Sequence, residues 1–107
     1  MFLLKKKDFE WSHAGYDGGF RSILRTSKGG GKTSIVKLKK DAVAPTHYHA
    51  SGEDVLVLSG SVKIGDYILG VGDYLYTEKG ESHNLIALED ATIFISSEKP
   101  VFFDNKN

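Results

Sequence analysis

A chain of 107 residues has room for one domain with its own core, burying roughly 65% of the surface that the unfolded chain would expose. At 40% hydrophobic and 26% charged it is too apolar for intrinsic disorder, and 14 basic against 14 acidic side chains leave no net field to hold a phosphate backbone or an anionic lipid surface. The absence of cysteine excludes disulfides, thiolate zinc sites and a cysteine nucleophile, so any metal must be held by nitrogen and oxygen.

The opening "MFLLKKKDFE" places its apolar residues before its charges, the wrong order for a signal peptide, and Lys5 to Lys7 read as solvated lysines. No apolar run approaches the roughly 20 residues needed to span a bilayer. A cytoplasmic protein that binds neither nucleic acid nor membrane is the expectation. "DFEWSHAGYDGGF" mixes aromatics with glycine and has neither helical nor strand period. We expect residues 1–19 to cover one end of the fold or to pair with a second subunit. Phe2, Phe9 and Trp11 are too apolar to hang free, which favours a homodimer.

From residue 20 the pattern is all-β. "FRSILRTS" (20–27) and "KTSIVKLKK" (32–40) flank the triple glycine 29–31, which reads as a connection between two antiparallel strands. "GGGKTS" imitates a phosphate loop, but Thr26 stands where its first glycine belongs, and a strand pattern follows where a helix is required. "EDVLVLSG" is apolar enough for a strand buried on both faces, and Gly65-Asp66 makes a tight hairpin within "SVKIGDYILG". "GDYLYTEKG", "SHNLIALED" and "ATIFISSE" continue at intervals of roughly ten residues, the spacing of a sandwich or small barrel. In "PVFFDNKN", Phe102 and Phe103 need a core or a partner, and the polar tail after them should fray.

The chemistry concentrates in "PTHYHASGED". Residues two apart in a strand share a face, so His47 and His49 project together, while Tyr48 points away. A bend at Ser51-Gly52 could return the carboxylate of Glu53 to the same place, and His83 begins another strand that antiparallel pairing can bring opposite. Two readings stay open from these residues alone: surface histidines, or three imidazoles and a carboxylate around one cation with positions left for a ligand. Arg21 and Arg25 share strand parity, and so do Tyr74 and Tyr76. Either pair could line a substrate cavity, or face solvent or packing.

These residues resemble the cupin family. Its first motif runs glycine, five residues, His-x-His, three or four residues, glutamate, six residues, glycine. "HYHASGEDVLVLSG" supplies His47, His49, Glu53 and Gly60, with Asp41 in place of the leading glycine. The second motif is met by Gly72, Gly80 and His83 in "GDYLYTEKGESHNLIA", with Glu78 where proline is usual and Ala87 where asparagine is usual. The likeness covers residues 33–97 of a single cupin domain spanning 1–107. It implies a jelly-roll (double-stranded β-helix) barrel with a divalent Fe, Mn, Ni, Co or Zn ion held by His47, His49, Glu53 and His83. "GEDVLVLSGSV" and "GDY" also resemble the branch containing acetylacetone-type dioxygenases and anti-sigma-factor metal sensors. The resemblance therefore implies a dioxygenase on a small oxygenated substrate; the alternatives are a non-catalytic metal- or small-molecule-binding sensor or carrier, and a sugar or keto-acid isomerase or lyase.

Overall fold

Among the described residues, alternating apolar residues between glycine-bearing turns give eleven strands and almost no helix. The computed structural model describes residues 1–49 and 51–103, and the side chains of these except 47–49 and 101–103. After a 3₁₀ turn at Lys6–Asp8 the strands are β1 (Ser12–His13), β2 (Gly19–Thr26), β3 (Lys32–Leu38), β4 (Val43–His49), β5 (Glu53–Ser59), β6 (Val62–Ile64), β7 (Tyr67–Leu69), β8 (Tyr74–Thr77), β9 (Ser82–Ala87), β10 (Ala91–Ser97) and β11 (Val101–Phe103). All pairings are antiparallel. One sheet has the order β1-β2-β3-β10-β5-β8 and the other β11-β4-β9-β6-β7. This is the expected all-β jelly roll.

The triple glycine is a hairpin connection, since β2 and β3 pair from Gly19 opposite Leu38 to Thr26 opposite Lys32. Gly65-Asp66 is the two-residue turn between Ile64 and Tyr67, with positive φ at Gly65 and not at Asp66, as in a type II′ turn. The core lies between the sheets: Val36, Val55, Val57, Val62, Ile64, Leu85, Ala87 and Ile93 are each at most 4% exposed.

Strand β5 differs from expectation. Val55 and Val57 are buried, but Leu56 is half-buried and Leu58 is 45% exposed. Among the described residues no second layer covers the outer face of this sheet there, so β5 buries one face. The N-terminal segment splits its role. Trp11 meets Phe9 at a tilt of 58° and carries the Lys37 ammonium 4.5 Å above its ring, on the outer face of β3. Beyond β1 the chain turns inward at Ala14 and Tyr16, while Phe2 stays exposed. The tail after Phe103, and the environment of the Phe102 and Phe103 rings, lie outside the described residues. Among the described residues no helix is long and apolar enough to cross a membrane.

Candidate functional site

The inward faces of the two sheets leave a cavity of about 290 Å³ between them. Its walls follow strand parity: Lys32, Ser34 and Val36 from β3, Glu53 and Val55 from β5, Ile93, Ile95 and Ser97 from β10, and His83 and Leu85 from β9. Along β3, β5, β9 and β10 the apolar side chains gather toward one end and the polar ones toward the other, while Arg21 enters from β2 opposite Val36. At the polar end one row crosses the first sheet, with Glu53 between Ser97 and Thr77 in the ladder. Thr77 then reaches the second sheet, its hydroxyl 3.2 Å from Nε2 of His83. That contact fixes the rotation of the imidazole, with the donor set by the ring's tautomer.

Glu53 is 4% exposed, a degree of burial that a carboxylate tolerates only when its charge is compensated. It shares the cavity with His83. The backbone register adds His47, which stands opposite His83 where β4 pairs with β9. A shift in the ladder between Ala44 and His47 sets that register. The side chains of His47 and His49 lie outside the described residues. Among the described residues no group of three or more His, Asp or Glu is gathered to hold a metal, and Glu53 and His83 are what they contribute. Nitrogen and oxygen donors on facing strands of one cavity, one of them a buried carboxylate, fit a divalent ion.

The other candidates separate. Arg21 lines the cavity, but Arg25 is exposed, because the β2–β3 register slips between Ile23 and Arg25 and reverses the parity that a regular strand would have kept. Tyr74 and Tyr76 do share a face, and it is the outer one: they are 59% and 51% exposed, while Leu75 and Thr77 point inward. The Tyr74 hydroxyl donates to the Asp54 carboxylate, and that bond raises the phenol's pKa. The Tyr76 ring covers Gly52, where a Cβ would have no room. His13 accepts the Gly15 N–H at 3.0 Å and meets Phe20 edge-on, a turn and packing histidine outside the cavity. Glu78 is an exposed turn residue whose N–H donates to the Glu81 carboxylate at 2.9 Å.

Thr77, Lys32 and Tyr16 join the site without a motif to mark them: Lys32 and Tyr16 line the cavity, and Thr77 touches His83. Thr77 shares parity with Leu75 and precedes the second motif's turn, so strand alternation could have found it. Lys32 shares strand parity with Ser34 and Val36, so alternation marks it too, whereas Tyr16 carries no such signal, since only the inward turn after β1 brings it here. The Tyr16 phenol is pushed above the ordinary tyrosine range by burial, opposed by the nearby Arg21 charge. It is therefore a protonated donor at neutral pH.

Comparison with known proteins agrees with this architecture. The acetylacetone dioxygenase of Acinetobacter johnsonii superposes with a TM-score of 0.82 at 14% identity, over 98% of this chain and 78% of that one. The structure of Rhodobacter sphaeroides SigE in complex with the anti-sigma ChrR matches with a TM-score of 0.76 at 22% identity, over 87% of this chain and 51% of that one. Identities at this level speak for the fold alone. The DNA damage-repair/toleration protein DRT102 of Arabidopsis thaliana is 32% identical over 85 residues, which is 74% of this chain, and the chain spans 26% of that relative's length. A family model, the ChrR cupin-like domain, matches residues 1–101. With nearly the whole chain matched and the motif residues on facing strands of one jelly roll, the protein belongs to the ChrR cupin-like family.

Proposed function

We propose that the protein is a metal-dependent cupin in which His47, His49, Glu53 and His83 hold one divalent cation, and a small oxygenated organic molecule occupies the cavity beside it. The observation that carries this reading is the buried Glu53 carboxylate in one cavity with His83, while the ladder sets His47 opposite His83. A bound cation supplies Lewis acidity and, when redox-active, electrons for chemistry with dioxygen. Thr77 keeps the His83 ring in one orientation, and the walls of Val36, Val55, Leu85 and Ile93 exclude water from the ligand. Likeness in fold to an acetylacetone dioxygenase supports oxidative cleavage as the reaction. A second reading, a sensor that binds metal or ligand without turnover, is favoured by the family match and by likeness to the anti-sigma ChrR complex.

Elemental analysis of the purified protein tests the centre. We expect close to one divalent ion per chain, with His47→Ala and Glu53→Gln each lowering occupancy at least about tenfold, while Thr77→Val weakens affinity by roughly 10-fold through its effect on His83. Metal-free wild type after growth and reloading in Fe(II), Mn(II), Ni(II), Co(II) and Zn(II) would overturn the reading. Oxygen uptake by the Fe(II)-loaded protein with a panel of diketones and phenolics then separates enzyme from sensor: turnover supports the first, and saturable binding without uptake supports the second.

A further inference from the structure

We propose that Arg21 is the anion-recognising group of the cavity and that its ligand is a small organic carboxylate. The inference rests on the cavity being the ligand site of the function proposed above, but it uses atoms other than the metal-binding set. Arg21 lines the cavity from β2, and its Nε is buried with no hydrogen-bond partner among the described residues. A guanidinium N–H removed from water and left without an acceptor costs free energy that a bound acceptor would recover.

The charges lining the cavity point the same way. Among the described lining residues Arg21 and Lys32 are cationic against the carboxylate of Glu53, so the lining attracts an anion before any cation is added. The planar guanidinium fork matches a carboxylate with two parallel bonds. The apolar walls favour an organic carboxylate, whose carbon chain they can bury, over an inorganic phosphate, which has no apolar surface to offer. The Tyr16 ring is set by Gly19: a Cβ there would come within 2.3 Å of it, so only glycine lets the ring lie against β2 near Arg21. A volume of about 290 Å³ with walls of Val36, Val55, Leu85 and Ile93 limits the rest of the ligand to a short, weakly polar chain.

Calorimetric titration of the full chain with acetoacetate and with its neutral ester, methyl acetoacetate, tests the proposal. Each ligand is titrated into protein stripped with EDTA and into protein reloaded with Mn(II). The acid should bind at least about tenfold more tightly than the ester, the scale of one charge-assisted hydrogen bond. Arg21→Met should reduce the preference to within about twofold, and Arg21→Lys should retain part of it, with metal content unchanged in both and folding checked by thermal melts. Equal binding of acid and ester by the wild type, binding of neither, or a preference surviving in Arg21→Met would overturn the proposal, as would inorganic phosphate displacing acetoacetate at equal affinity. Failure of the metal reading is recognised separately, by absent metal, because the stripped protein reports the acid preference by itself.

Discussion

Four positions of the two cupin motifs have left-handed backbone: Gly60 at φ 73°, Gly72 at 86°, Gly80 at 89°, and Asp41 at 72°, where the first motif has glycine. The motif's glycines are thus explained by main-chain shape. Asp41 is the one described non-glycine residue with positive φ, tolerated because a short polar side chain resists this region less than most. Its N–H still donates to the Ala87 carbonyl at 2.8 Å, so the turn is kept. Asp41→Gly should therefore raise stability by about 0.5 kcal/mol, with melting about 2–4 °C higher, the relief of strain exceeding the added freedom of the unfolded chain. Gly60→Ala should do the reverse. A Cβ there would come within 2.1 Å of the Asp90 carbonyl oxygen as well as meeting the φ penalty, and a loss of about 3 kcal/mol in chemical denaturation is expected.

At the scale of single strands, period two places nearly every side chain, and its exceptions are where the chain slips register. The β4 irregularity sets His47 opposite His83, whereas the β2 slip separates Arg25 from Arg21. No residue type in "FRSILRTS" announces that slip, because it is imposed by pairing with β3. Strand β10 shows what burial is worth. It lies between β3 and β5, and Ile93 is fully buried between the sheets. Ile93→Ala should cost about 3–4 kcal/mol and Ile93→Val about 1 kcal/mol. Leu58→Ala, at an equally apolar but outward position of β5, should stay within about 0.5 kcal/mol. Equal losses at the two leucine-sized sites would mean that the outer face of β5 is covered in solution.

Across the whole molecule, the apolar core draws on both sheets and is separate from the polar end of the cavity. Stripping metal with EDTA should therefore leave a cooperative melt, shifted down only by the binding free energy forgone, about 2.7 kcal/mol at a metal concentration 100 times its dissociation constant. A featureless melt, with loss of the far-ultraviolet strand signal, would show instead that metal organises the fold. Local sequence determined the strands, the hairpins at 29–31 and 65–66, and the pairing of motif glycines with turns, because alternation and turn chemistry act over a few neighbouring residues. Motif spacing also named Glu53 and His83, which share the cavity. Only the tertiary structure decided which face of each strand is inward. It put Tyr74 and Tyr76 outside, brought Tyr16 and Arg21 into one cavity with Lys32, and let Thr77 hold His83 from the opposite sheet. These contacts depend on register and on sheet order between segments far apart in the chain, and a strand's own pattern does not encode either.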